Sequence, residues 1–341
     1  MAGDPGLPLD TAGAAVGLAA GTALLLAPLR QGLRHFGVTD RPNARSSHTR
    51  PTPRGAGLLL MPLFAAMWSG GNLWRTGDPG LAWLGLPALV LTAVSFIDDL
   101  RGLPALLRLI AQALAVAIGL SALGDGLVFQ GLVPFWLDRA LAGLAWLWFV
   151  NLFNFMDGID GLAGTETLVI AGGLILLSLA VPLIAGGLLL PALWLLAVTL
   201  GFLVWNWPPA KIFLGDSGAV PLGFVLGGLL LTLAAAGYWA AALLLPAYHG
   251  ADATRTLLRR LFRGAKIWHP HREHAYQRAV HHAGWSPARV CRDVAALGLG
   301  LVGCALWSVI GPVWPGLLLG AGLVAAVLAR FESGAHPNGE R

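Results

Sequence analysis

A chain of 341 residues that is 56% hydrophobic and only 11% charged carries about half the charge of an ordinary soluble domain. That excludes a globule bathed by water on all sides and makes lipid the solvent for most of its length. The net charge of +5 comes almost entirely from arginine and suits anionic lipid or an anionic substrate, with nothing that singles out nucleic acid. The two cysteines, Cys291 and Cys304, lie in or beside one apolar stretch, so no disulfide framework or cysteine zinc cluster is expected.

At about 20 apolar residues per span, the sequence predicts an all-α, polytopic membrane fold. Eleven transmembrane helices are expected at roughly 9–29, 55–70, 80–97, 104–122, 139–155, 163–181, 187–205, 218–235, 237–252, 290–310 and 313–330. The first reads as a retained span and not a removed signal peptide, because its front is not basic and no clear cleavage site follows. With the N-terminus outside, loops 30–54, 98–103, 156–162, 206–217 and 253–289 share one face. Counting helix ends and the tail after 330, twenty of the 22 lysines and arginines fall on that face, leaving Arg75 and Arg139 for the other, so the positive-inside rule makes that face cytoplasmic. The stretch 125–138 is expected to be an external hairpin or interfacial segment. The chain reads as one domain, with a core at 30–289 and a flexible tail over about 331–341.

The same loops hold the unusual polar residues: Asp98 and Asp99 in SFIDDLRG, then Asn151, Asn154, Asp157 and Asp160 in NLFNFMDGIDGLAG. Asn206, Lys211, Phe213 and Asp216 follow in WNWPPAKIFLGDSG, and His269, His271 and His274 in KIWHPHREHAYQ. Ionisable groups at membrane depth are costly and tend to mark function. Asp98, Asp99, Asn154 and Asp157 fall at C-terminal helix ends, where the helix dipole disfavours carboxylates, so something positive must compensate. Clustered Asp and Asn oxygens suit a hard cation such as Mg²⁺, which keeps water and bridges to substrate phosphates.

Plainer readings stand beside these. The Asp pair could be a solvated helix terminus or a partner for Arg101, and Asp216 an N-cap. The histidines could be a wet loop face near lipid, His-Pro-His being a weak zinc signal. The arginines of 253–263 read as topology and lipid contacts.

Taken in order, DRPNARSSHTRPTPRGAG at 40–57, FIDD at 96–99, NLFNFMDGIDGLAG, NWPPAKIFLGDSG and the histidine segment at 269–277 resemble the polyprenyl-phosphate N-acetylhexosamine-1-phosphate transferases. That family includes the phospho-N-acetylmuramoyl-pentapeptide transferase and the bacterial initiators of O-antigen synthesis. The resemblance implies an enzyme of the bacterial inner membrane with a cytoplasmic active site. It would move an N-acetylated amino-sugar 1-phosphate from a UDP-sugar to undecaprenyl phosphate and release UMP. It further implies Mg²⁺, or Mn²⁺ in its place, on Asp216 and Asn154, and a catalytic set of Asp98, Asp99 and Asp157. Asp160 and Phe213 match positions that hold the uracil, Asn206 an amide of the same site, and His271 and His274 the loop around the sugar diphosphate. Asn151, Lys211 and His269 complete the expected substrate contacts. HPHREHAYQ looks most like the O-antigen branch that handles deoxy amino sugars. Membrane lipid and a homodimer are the other expected partners.

Two chemistries remain open at this level: direct attack of the acceptor phosphate on the β-phosphorus, or a covalent intermediate on an aspartate. The rival class is a cation-coupled transporter, which predicts polar residues near mid-membrane and internal symmetry; here they sit at helix ends and no repeat is visible.

Overall fold

The computed structural model describes residues 9–42, 50–70, 84–265 and 271–333, without the side chains of Leu9 and of 182–186. In chain order the helices are α1 Leu9–His35, α2 Gly57–Ala65, α3 Gly85–Arg101, α4 Ala105–Ser121, α5 Phe135–Met156, α6 Leu162–Ala180 and α7 Pro182–Asn206. They continue as α8 Asp216–Leu233, α9 Trp239–Leu244, α10 Ala247–Phe262, α11 Ala275–His281, α12 Pro287–Ile310 and α13 Val313–Ser333. π-Helical turns follow α2 at Ala66–Gly70 and α8 at Ala234–Tyr238. The all-α expectation needs one amendment among the described residues. β1 (Thr39–Asp40) pairs antiparallel with β2 (Thr52–Pro53), Thr39 opposite Pro53.

Among the described residues six stretches are long and apolar enough to cross a membrane: Asp10–His35, Leu162–Ala180, Gly187–Asn206, Asp216–Leu244, Pro287–Ile310 and Val313–Ser333. The protein is therefore multi-pass. The expected eleven also counted helices that are shorter or carry charge, such as α4 and α5. The ninth expected span, 237–252, is not one helix: α9 stops before Pro246, which supplies no backbone N–H, and α10 begins as a separate, strongly amphipathic element. α13 runs to Ser333, with Phe331 fully buried and Glu332 binding arginines of α10, and the rest of the tail expected over about 331–341 lies outside the described residues.

The bundle is organised around α8, which is buried on almost every side and packs on α2, α3 and α5. Lipid offers helices no hydrophobic reason to associate, so close fit between small residues does that work. Gly227 and Gly228 leave a flat face on α8 for Trp146 of α5; a Cβ at Gly227 would sit 2.6 Å from the indole. Trp146 stacks on Phe224 (centroids 4.9 Å apart) and donates its Nε1–H to the Phe224 carbonyl at 2.7 Å. At the other end of α8, Gly218 meets Gly57 of α2 so closely that a side chain on Gly57 would strike the Ser217–Gly218 backbone. These contacts bring the ends of α3 and α5 to the start of α8.

Candidate active site

Asp98 and Asp99 close α3, which Gly102 terminates with φ 68° and an N–H to the Asp98 carbonyl at 2.8 Å. The Asp98 side chain folds back across the turn, accepting from the Leu103 N–H at 2.5 Å and from Arg108 Nη1 of α4 at 3.0 Å. Asp99 points the other way, its side chain only 4% exposed, and accepts from the Ser217 N–H at 3.3 Å. It therefore caps α8, where the positive helix terminus favours a carboxylate. Arg54 Nη1 lies 3.5 Å from Asp99 Oδ1 and Nη2 donates to the Asp99 carbonyl. Asp216, the first residue of α8 and partly exposed, has Oδ2 3.8 Å from the same Arg108 Nη1. Arg108 thus joins Asp98 to Asp216.

Asp157 follows α5 directly, its N–H bonded to the Asn154 carbonyl at 3.2 Å. Burial pushes its carboxyl up to about 7, and the charges of Asp216, Asp160 and Asp99 push in the same direction. The compensation that the sequence demanded is supplied by Arg54, Arg108 and the N-terminus of α8. The two arginines were missed as site residues, having been read only as markers of orientation. The signal was there: Arg108 lies one turn inside an apolar helix, and Arg54 sits in PRGAG beside Gly55, whose φ is positive (119°).

Arg54 reaches the site because the segment after β2 pairs with the loop before α8. Phe213 donates its N–H to the Pro53 carbonyl at 2.8 Å, and its own carbonyl accepts from Gly55 and Ala56 at 3.1 Å each. The Phe213 ring is half-buried beside this pairing. The loop of Asp157 and Asp160 is clasped to the same segment: Asp160 Oδ2 accepts from the Ala210 N–H at 2.8 Å. Asn206 is buried, with Oδ1 accepting from Gly161 N–H at 2.9 Å and Nδ2 donating to the Ile212 carbonyl at 2.9 Å. Asn206 is therefore a clasp between the two loops that carry the expected site residues. Lys211 is exposed, its ammonium 5.6 Å from the Trp205 ring.

Asn151 ties two helices together. Its Nδ2 donates to Gln112 Oε1 of α4 and to the Leu147 carbonyl, both at 2.8 Å, so it holds α4 to α5. Asn154, three residues on, is half-buried at the end of α5.

His269 lies outside the described residues, as do residues 43–49 of the first motif. His271 and His274 have rings 4.8 Å apart. His274 is buried, with Nδ1 3.8 Å from Asp252 Oδ1 of α10 and its ring stacked on Tyr276. Through these contacts it ties the segment to α10. His271 is half-buried, and burial, then His274 and Arg260, hold it down at about 4, so it is neutral at physiological pH. Asp252 was also missed: it accepts from the Ala275 N–H at 2.8 Å and the Tyr276 N–H at 3.4 Å, capping α11. Tyr276 then reaches the aspartate loop, its hydroxyl donating to the Phe155 carbonyl at 3.2 Å. A further buried pair, Glu166 Oε1 and His249 Nδ1 at 3.3 Å, had no sequence signal beyond a lone Glu in an apolar helix.

Among the described residues no three His, Cys, Asp or Glu side chains form a ready-made metal cage. Mg²⁺ needs no such cage, since it takes one or two carboxylates and completes its shell with water and phosphate. The crowding of Asp98, Asp99, Asp157 and Asp216 around two guanidiniums fits a cation of that kind.

The glycosyl transferase family 4 model matches residues 81–234, the stretch that carries Asp98 through Asp216. The chain is 32% identical over 223 residues to a probable undecaprenyl-phosphate N-acetylglucosaminyl 1-phosphate transferase of Bacillus subtilis (strain 168), covering 62% of this chain and 60% of the relative. It is 32% identical to the decaprenyl-phosphate N-acetylglucosaminephosphotransferase of Mycobacterium tuberculosis (strain CDC 1551 / Oshkosh), over 65% of this chain and 60% of the relative. The match thus spans about 60% of the length of these two relatives. A phospho-N-acetylmuramoyl-pentapeptide-transferase of Mycolicibacterium smegmatis is 31% identical across 64% of this chain and 75% of its own length. With a relative matched over three quarters of its length and the family match lying across the carboxylate cluster, the chain belongs to glycosyl transferase family 4.

Proposed function

We propose that this protein transfers an N-acetylated amino-sugar 1-phosphate from a UDP-sugar to undecaprenyl phosphate, giving the polyprenyl-diphosphate-linked sugar and UMP. The reaction would initiate a surface glycan, O-antigen or a related polymer, at the cytoplasmic face of the inner membrane. The observation that carries this reading is the meeting of Asp98, Asp99, Asp157 and Asp216 with Arg54 and Arg108 at one end of the bundle. The three relatives above are named as transferases of polyprenyl-phosphate or phospho-sugar type, which supports it.

Phosphoryl transfer depends mainly on positioning and charge stabilisation. Arg54 and Arg108, with the N-terminus of α8, would hold the diphosphate oxygens, guanidinium forks matching phosphate geometry. Asp216 with Asn154 would hold Mg²⁺, which when bound neutralises the diphosphate and the departing UMP phosphate. Phe213 and Asp160 would receive the uracil. The acceptor phosphate, with its second pKa near 6, is already largely ionised at pH 7. Asp157, its carboxyl raised by burial, would take the remaining proton. Asp98 already accepts from Leu103 and Arg108, which weakens it as a nucleophile and favours direct attack over a covalent aspartyl intermediate.

The test is UMP release by the purified full chain given undecaprenyl phosphate, Mg²⁺ and a panel of UDP-amino sugars. Release with one donor that depends on the lipid acceptor is expected. No release with any donor, or release independent of the acceptor, overturns the proposal.

A further inference from the structure

Outside the carboxylate cluster, the most distinctive charged feature is a cleft of about 350 Å³ between the end of α10 and α11. Arg259 and Arg263 line one wall and Arg272 and Arg278 the other, with His282 and Thr256 between them. The lining holds one carboxylate, Glu273, which pairs with Arg263 at 3.3 Å and also with Arg260. Glu332 approaches from α13, binding Arg255 at 2.5 and 2.8 Å and Arg259 at 2.8 Å. Even with both glutamates counted, guanidinium is in excess, and no residue of the Asp98–Asp216 cluster contributes to the cleft.

The sequence of α10 explains what lies beside it. At about 100° per residue, Ala253, Leu257 and Arg260 form the buried face. Leu258, Leu261 and Phe262 form a second face about a third of a turn away, 45%, 55% and 84% exposed. Arg255, Arg259 and Arg263 run between the two. An apolar edge next to a row of arginines, on a helix that follows an apolar span, is the pattern of an element lying in a membrane interface.

The geometry points to a binding site for an anionic phospholipid: its headgroup phosphate enters the arginine cleft while its acyl chains lie along Leu258, Leu261 and Phe262. A neutral lipid would fill the apolar edge but leave the guanidinium excess unanswered. A soluble anion would answer the charge but leave Phe262 in water. One lipid satisfies both. The inference goes beyond the proposed transfer reaction and does not rest on it, because binding is read without turnover.

The experiment places the full chain in nanodiscs of equal phosphatidylglycerol and phosphatidylcholine and identifies, by native mass spectrometry, the phospholipid that stays bound on release. The wild type should retain phosphatidylglycerol in preference. Arg263→Gln and Arg272→Gln should each lower that preference about fivefold, the equivalent of about 1 kcal/mol per basic residue near an anionic surface. Arg263→Lys should keep most of it, because it keeps the charge. Phe262→Gln should reduce retention of both lipids. Equal retention of the two lipids by the wild type, or an unchanged preference in both Gln variants, overturns the site. Displacement of phosphatidylglycerol by added uridine diphosphate or inorganic phosphate also overturns it, by giving the cleft to a soluble anion.

Discussion

The carboxylate cluster and the arginine cleft treat charge in opposite ways. At the ends of α3, α5 and α8, acids outnumber bases and one carboxyl, Asp157, is driven up to about 7. Between α10, α11 and α13 bases outnumber acids, and Glu332 is gripped by Arg255 and Arg259. Each region carries an excess that only a ligand of the opposite sign would relieve. On the readings proposed above, the first would hold a cation and a transferring phosphate, and the second an anion that stays intact.

The sharpest way to break this contrast is at Asp216. Its position at the head of α8, partly exposed and 3.8 Å from Arg108, gives it no structural partner on which the fold depends. Asp216→Ala should therefore leave a folded chain and lower turnover by about a hundredfold or more, as loss of several kcal/mol of metal-assisted charge stabilisation requires. Wild-type UMP release from that variant would remove the residue from the site.

Arg108 comes next. It bridges Asp98 and Asp216, and hydrogen bonds to charged groups contribute about 1.5–3 kcal/mol. Arg108→Ala should lower kcat/KM by roughly ten- to a hundredfold, with Arg108→Lys recovering part of the loss. Equal activity of the Lys and Ala variants would show that the guanidinium does not act as a charge between the two acids.

Asn206 tests the scaffold and not the chemistry. Asn206→Ala leaves the Gly161 N–H and the Ile212 carbonyl without partners in a buried loop, at about 1–3 kcal/mol for each unsatisfied group. The thermal midpoint should fall, and the KM for the donor should rise more than kcat drops. An unchanged midpoint would mean that the two loops are held together by other contacts.

These residues also show what could be read from the chain alone. The acids were legible because a carboxylate in so apolar a sequence stands out, and the helices were legible from the length of the apolar runs. Arg54 and Arg108 were hidden by a competing explanation, since the positive-inside rule already accounts for arginine on that face. Asn206 and Asn151 could not be assigned because an amide that binds a ligand and one that bridges two backbones look alike until its partners are known. Asp252 stayed unseen because its helix continues the apolar pattern, and only the tertiary fold brings it beneath the N-terminus of α11. The burial of His274 depends on α10 breaking away from α9, which the hydropathy around Pro246 concealed.

The smallest expected effect concerns Asp157 and has a definite sign. Its pKa in the fold, about 7, lies above the ordinary carboxylate value of 3.8, so the folded chain holds that proton more tightly than the unfolded chain. Stability from this group is present below about pH 4 and is lost as pH rises toward 7. In the absence of divalent cation, the wild-type thermal midpoint should decline across that window relative to Asp157→Asn, which cannot ionise. Added Mg²⁺ should flatten the difference, because a cation among Asp157, Asp216 and Asp99 replaces repulsion with attraction. Other carboxyls titrate in the same range, so the quantity that decides is the difference between the two proteins, with and without the cation. If wild type and Asp157→Asn run parallel from pH 4 to pH 7 in chelator, the carboxylates are not close enough to feel one another, and the crowding on which the cation reading depends is absent.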